Sequence, residues 1–192
     1  MSVEIELKFE IQKERIPSYL ERLAKIDFAV TTRRTLEKTV MFDNQEKLMQ
    51  LTNGRVRLRV SKQGGDLSYK KPLGQKTIKK EVEHEITVSN AQTTKEILNK
   101  MGFRPTTSYE RYRTTLKNQE GSLKVTIDEF PFATFIEIET SRSETAIRKL
   151  AKLLGLKLGQ SLTQPCDTLF RKWREAHGLP PKPHLRFNSY DK

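Results

Sequence analysis

Charged residues recur along this chain in couples two positions apart. Glu4 and Glu6, with Lys8 in phase, lie in the alternating run Val3-Glu4-Ile5-Glu6-Leu7-Lys8-Phe9. Phe135-Ile136-Glu137-Ile138-Glu139 repeats the paired acids, and Val125-Thr126-Ile127-Asp128 ends on an acid in phase with a threonine. The basic counterparts are Arg57 and Arg59 within Val56-Arg57-Leu58-Arg59-Val60, and Arg111 and Arg113 within Tyr109-Glu110-Arg111-Tyr112-Arg113. Side chains of a strand alternate between its faces, so each couple shares a face that is opposite an apolar one. Like charges side by side repel and are tolerated only against a counter-charge, a metal ion or water. For any single strand, charges facing solvent would be the simpler account; it is the recurrence that points inward. If these strands belong to one curved sheet, their charged faces look at one another across an interior, acidic at one part and basic at another. Such a surface suits a polyanion held together with a divalent cation.

In sequence order the same residues resemble the signature of the CYTH superfamily, the triphosphate tunnel metalloenzymes, which include class IV adenylate cyclases, thiamine triphosphatases and inorganic tripolyphosphatases. The resemblance is carried by Glu4-x-Glu6-x-Lys8, Arg57-x-Arg59, Lys70 shortly before Pro72, the acidic strand around Glu83 and Glu85, Arg111 with Arg113, Asp128, and Glu137-x-Glu139, over roughly residues 3 to 170. One short motif recurs by chance, whereas these elements in one order are specific. The resemblance implies that Lys8, Arg57, Arg59, Lys70, Arg111 and Arg113 bind the phosphates, with Glu83 and Glu85 in the substrate site. It implies that Glu4, Glu6, Asp128, Glu137 and Glu139 hold Mg²⁺ or Mn²⁺, and that Glu4, Glu6 and Lys8 take part in catalysis. The implied activity is metal-dependent hydrolysis of tripolyphosphate or a small organic triphosphate. A class IV adenylate cyclase, forming cyclic AMP and pyrophosphate from ATP, is the alternative. A non-catalytic module for polyphosphate or RNA phosphate comes third, because a pure anion binder has no use for so many inward acids.

Two departures from the family pattern matter. Similar proteins have lysine, glycine, proline where this chain has Lys70-Lys71-Pro72; alignment on the proline selects Lys70, with Lys71 as the alternative. Gln164-Pro165-Cys166-Asp167-Thr168 does not reproduce the family's C-terminal basic or Ser-Tyr feature, so thiamine triphosphate specificity is not implied. In Glu81-Val82-Glu83-His84-Glu85-Ile86 three acids share one face; Glu83 and Glu85 are taken as site residues and Glu81 as the spare, with His84 outward. With three histidines in the chain, a histidine metal site is not expected.

The elements that must position these residues follow from periodicity and turn chemistry. Helices are predicted over about 14 to 26 with Pro17 near its start, from a cap at Ser89 or Asn90 to Met101, through Ile147, Leu150, Ala151 and Leu154 behind a capping box Ser141-x-x-Glu144, and from near Pro165 through Leu169, Phe170 and Trp173. Further strands are predicted near 34 to 42, 55 to 62, 67 to 71, 107 to 117 and 122 to 130. They are separated by a turn-rich connection from Asp43 to Gly54, a hairpin at Gly64-Gly65-Asp66, a solvated basic loop at Gly74-Gln75-Lys76, a second hairpin at Asn118 to Gly121, and a bend at Phe130-Pro131-Phe132. Lys76, Lys79 and Lys80 are candidates for a tunnel mouth. The expected fold is α+β: an antiparallel eight-stranded β-barrel, a tunnel with a charged lumen and helices packed outside. One domain spans residues 1 to 178, followed by a Pro-containing tail from 179 to 192 that is mobile unless docked.

Composition agrees with that design. The 192 residues suffice for one domain with a sizeable core; 35% are apolar and 31% charged, as a barrel that hides charge would require. Thirty-six basic against 24 acidic residues give a formal charge of +12, an attraction for anions. Without a Lys/Arg run, zinc-finger or RRM signature, phosphate chemistry ranks above sequence-specific nucleic-acid binding. The single cysteine, Cys166, excludes an intramolecular disulfide. No stretch approaches a membrane span, and no signal peptide is read at the start, so the expectation is a cytoplasmic protein. A homodimer is compatible with the sequence.

Overall fold

The computed structural model of the protein describes residues 2–62, 64–75 and 78–187. Eight antiparallel strands form its frame: β1 (Ser2–Ile11), β2 (Phe28–Asp43), β3 (Arg55–Ser61), β4 (Gly64–Gln75), β5 (Lys79–Val88), β6 (Arg104–Asn118), β7 (Lys124–Glu129) and β8 (Thr134–Thr140). Their order is β2-β3-β4-β5-β1-β8-β7-β6, and β6 pairs back onto β2, so the sheet closes into a ring without a free edge. The expected eight-stranded antiparallel barrel is therefore present. A short strand β9 (His184–Leu185) adds a parallel partner to β6.

Helices α1 (Ile16–Ala24), α2 (Leu48–Thr52), α3 (Ala91–Lys100), α4 (Glu144–Leu153) and α5 (Cys166–Ala176) complete the α+β fold. The main core lies outside the ring. Ile5, Leu7 and Phe9 of β1, Val125 and Ile127 of β7, and Ile136 and Ile138 of β8 pack against Tyr19 and Leu23 of α1 and Ile147, Leu150 and Ala151 of α4. Each such side chain removed from water contributes about 1.5–3 kcal/mol, and this burial fixes the register that turns the charged face inward. Phe42 and Leu58 pack separately against Leu98 of α3. Asn90 caps α3 by accepting from the Thr93 N–H at 3.0 Å, as the sequence predicts.

Several boundaries differ from the sequence reading. β2 begins at Phe28 and β4 at Gly64, because each meets ladder partners that local propensity does not reveal: Phe28 opposes Asn118, and Asp66 opposes both Arg59 and Thr87. Asp66 is therefore a strand residue, and Gly74 and Gln75 belong to the end of β4; Lys76 lies outside the described residues. Within the connection from Asp43 to Gly54, α2 forms because the Asp43 carboxylate accepts from the Met49 and Gln50 N–H groups at 2.9 and 3.1 Å. The capping box does not form: α4 starts at Glu144 behind Ser143, and the Glu144 carboxylate pairs with Lys80 at 2.6 Å. The segment after residue 178 docks, with Pro183 O accepting from Ser108 N–H at 3.0 Å and the Phe187 ring lying 4.9 Å from Tyr112. Residues 188–192 of the expected tail lie outside the described residues.

Candidate active site

Residues in phase with Glu4 on β1, Arg57 on β3 and Glu137 on β8 point into the ring, and most of their registers set opposite charges across from one another, although Glu4 faces Glu81 and Glu6 faces Glu139. Lys8 faces Glu137 and Glu6 faces Lys79. Arg113 faces Asp128, Lys70 faces Glu83, and Glu37 faces Arg111. Opposite-charge cross-strand pairs are mutually stabilising, whereas a one-residue slip would place these charges in the apolar wall. Every candidate site residue of the sequence reading lies on this inner face.

The contacts form one continuous network. Lys8 Nζ lies 3.3 Å from Glu6 and 3.1 Å from Glu137, and Lys79 Nζ donates to Glu6 at 3.0 Å. Asp128, fully buried, accepts from Arg111 Nη1 at 2.9 Å and from Arg113 Nε at 2.5 Å. Arg113 Nη2 also reaches Glu137 at 2.9 Å, and Thr126 Oγ1 donates to the same carboxylate at 3.3 Å. Lys70 Nζ bridges Glu4 at 2.8 Å and Glu83 at 3.0 Å, while Lys71 is exposed, which selects Lys70 as the lumen lysine. Arg59 Nε binds Asp66 at 2.7 Å; Arg57 donates to Ser68 Oγ at 3.1 Å and approaches Glu85 at 3.4 Å.

Burial and neighbouring charge set the protonation states. Burial pushes the Glu6 carboxyl up, but Lys8 and Lys79 outweigh it and hold the group at about 2. Glu37 is held at about 2 in the same way by Arg111, Arg113 and Arg59. Burial raises Glu4 against the pull of Lys70, helped by a hydrogen bond with Glu83 and the charge of Glu6. Burial alone would lower Lys8 and Lys70, yet their carboxylate partners keep both firmly protonated.

Several inner-face residues are additional to the sequence reading. Glu81, set aside as the spare acid, is 1% exposed and paired to Arg55 and to Lys79 at 2.8 Å. Arg55 is in phase with Arg57 and Arg59, and Lys124 with Asp128, so the alternation rule already contained them. Glu37 was legible as the face of β2 opposite Leu36, Val40 and Phe42. Lys79 is buried in the lumen, while Lys80 faces outward to Glu144. His84 is exposed beside Tyr69, as expected.

The five acids expected to hold metal do not converge: among the described residues, no three histidine, cysteine or acidic side chains form a cage. Each is held by a base instead, since a buried carboxylate must be neutralised by whatever cation is at hand. The donor chemistry is nonetheless that of a hard cation, carboxylate oxygen throughout. The Glu4 and Glu83 carboxyls, already joined by a hydrogen bond, supply two such donors side by side.

Nine lysines and arginines and eight carboxylates line a central cavity of about 110 Å³. Towards α5 the lining changes from charged to aromatic: Tyr109, Phe130 and Phe135 meet Leu169 and the first turn of α5, which closes this end. The opposite mouth is wider and polar, about 460 Å³ bordered by Thr31, Thr32, Thr115, Lys117 and Lys124.

Fold and site together define a closed β-tunnel with an ion-paired lumen, plugged at one end by a helix. A family model for the CYTH domain matches residues 2–161, and the chain belongs to that family. A Methanocaldococcus jannaschii protein described as a candidate adenylate cyclase is 23% identical over 181 residues, covering 92% of this chain and 99% of its own. A solved structure of a candidate adenylate cyclase from Vibrio parahaemolyticus matches with a TM-score of 0.73 at 16% identity, covering 88% of this chain and 98% of its own. A Hippeastrum structure, described as a candidate adenylyl cyclase with a dominant triphosphatase activity, matches with a TM-score of 0.62 at 17% identity over 94% of this chain and 98% of its own. At these identities the two solved structures speak for the fold.

Proposed function

We propose that the tunnel binds a triphosphate and hydrolyses it with the help of Mg²⁺ or Mn²⁺. The observation that carries this reading is the near balance of charge in a buried, base-rich lumen. Arg57, Arg59, Arg111 and Arg113 offer forked donors to successive phosphoryl groups, and Lys8 and Lys70 offer point charges, the equipment that phosphate recognition requires. Those bases are at present satisfied by carboxylates. An entering triphosphate would take over the bases and leave the acids without partners. With about as many acids as bases around the cavity, several added negative charges are unfavourable unless cations enter too. Glu4, Glu6, Asp128, Glu137 and Glu139 would hold those cations. A divalent ion held there supplies charge neutralisation at the phosphoryl oxygens and a water of lowered pKa. The protein's own part is to hold the phosphate chain in line through its arginines and to exclude bulk water by the α5 plug.

Adenylate cyclase is the second reading, favoured by the description of the M. jannaschii relative. The same phosphate site would serve it, with the ribose hydroxyl in place of water and pyrophosphate leaving. The deciding experiment measures phosphate release from tripolyphosphate, ATP and thiamine triphosphate with Mg²⁺ or Mn²⁺, alongside a cyclic AMP assay. Metal-dependent phosphate release is expected; cyclic AMP with pyrophosphate would replace hydrolysis by cyclisation, and binding without turnover would reduce the protein to a phosphate-binding module.

A further inference from the structure

Between β3 and β6, the inner face of β2 carries Glu37, Thr39 and Met41 in succession. Glu37 is paired with Arg111 at 2.8 Å, and Met41 lines the central cavity. Thr39, between them, is 1% exposed, and its hydroxyl makes no hydrogen bond with any described residue. Two other hydroxyls buried as deeply on this face are engaged: Ser68 accepts from Arg57 Nε at 3.1 Å, and Thr126 donates to Glu137 at 3.3 Å. A buried hydroxyl without a partner costs stability that a valine of the same shape would not incur.

The ladder registers fix what surrounds this hydroxyl. Thr39 lies opposite Arg59 on β3 and opposite Tyr109 on β6, and Arg59 in turn lies opposite Asp66 on β4. Arg59 and Tyr109 line the cavity as Met41 does, so Thr39 sits among lumen residues. β2 is paired on both sides at this point, and its own carbonyls serve the ladder. The carboxylates near Arg59 come from beyond β3: its Nε donates to Asp66 at 2.7 Å, and its Nη2 lies 3.6 Å from Glu85 of β5. A guanidinium only donates. On the β2 side, therefore, two donors stand across from each other and the Thr39 hydrogen lacks an acceptor.

We propose that Thr39 is a substrate-binding residue, donating its hydroxyl hydrogen to a phosphoryl oxygen that Arg59 binds at the same time. This rests on the triphosphate site proposed above and adds to it a residue that lies outside the charged couples. An anionic oxygen accepts several hydrogen bonds, so it can serve both donors at once. A hydroxyl supplies its bond without a charge, where another base beside Arg57 and Arg59 would add to their mutual repulsion. Arg59 exchanges Asp66 for this oxygen, which brings the anion against Thr39 and provides the acceptor that the resting lumen withholds.

The test is calorimetric binding of inorganic tripolyphosphate with Mg²⁺ to the wild type, Thr39→Val and Thr39→Ser, with urea denaturation of each. Thr39→Val is expected to weaken binding about tenfold, the size of one hydrogen bond to an anion, with a urea midpoint equal to or above that of the wild type. Thr39→Ser restores the hydroxyl and is expected to bind within about twofold of the wild type. When Thr39→Val is combined with Arg59→Gln, the loss is expected to fall short of the product of the single losses, because both residues hold one oxygen. Wild-type affinity in Thr39→Val, equal weakening in Thr39→Ser, or fully multiplicative losses would overturn the role of Thr39 and leave the tunnel reading intact. A Thr39→Val chain that fails to fold, or unfolds at lower urea, would show that the hydroxyl has a structural partner and would overturn it as well. Failure of the wild type to bind tripolyphosphate would overturn both.

Discussion

Glu4 and Glu137 show how similar acids on neighbouring strands acquire different characters. Glu137 is ionised between Lys8 and Arg113, well below the usual carboxylate range despite its burial. Glu4 is shifted upward by burial against the pull of Lys70, and Lys70 also pairs with Glu83 at 3.0 Å, so an amide at position 4 leaves that lysine with an anionic partner. Glu4→Gln is therefore expected to leave the urea midpoint nearly unchanged, whereas Glu137→Gln leaves two buried bases short of an anion and costs about 3 kcal/mol. Both variants are expected to lower phosphate release from tripolyphosphate at least a hundredfold, because each removes a donor proposed for the metal. Unchanged rates in both would remove the metal assignment. The couples Glu4/Glu6, Arg57/Arg59, Arg111/Arg113 and Glu137/Glu139 were legible from alternation alone. Glu81 was not, since three acids in phase look alike in sequence and only Arg55 and Lys79 distinguish the first.

At the scale of elements, the fold separates stability from chemistry by face. Ile147 of α4 is fully buried among the apolar side chains of the outer wall. Ile147→Ala is expected to destabilise by about 2–4 kcal/mol in urea denaturation, with the rate per folded molecule unchanged; a loss of rate at full folding would mean that the wall positions the site more tightly than the faces suggest. Helix positions were readable because 3.6-residue periodicity is a local property. Strand ends were not, as β4 shows: Gly64 and Gly65 read as a turn, but β3 and β5 on either side extend the ladder to them. The short α2 escaped for a related reason, since side-chain bonds from Asp43, several residues upstream, hold its first turn.

For the whole molecule, the buried network makes stability depend on pH. Glu6 and Glu37 sit near 2 against an ordinary 4.5, so their contribution is complete above about 4.5 and is lost as pH falls towards 2. Glu4 has the opposite sign: its contribution is present below the ordinary value and fades as pH rises through its elevated one. Thermal unfolding followed by circular dichroism is expected to show the midpoint dropping steeply between pH 4.5 and 2, and Glu6→Gln is expected to flatten that limb. An acid limb unchanged by Glu6→Gln would show that this ion pair does not govern it. The formal charge of +12 resides largely outside the nearly balanced cavity, which gives the molecule a long-range attraction for the anions it is proposed to bind.

The sequence by itself determined which side chains share a face, the antiparallel α+β class and the family, because alternation and motif order are properties of the chain read locally. Tertiary structure decided which charges neutralise one another, that Lys70 and not Lys71 turns inward, and that the segment beyond Gly178 docks along β6. Those outcomes depend on ladder register and ring closure, which bring together residues far apart in the chain and which no local pattern encodes.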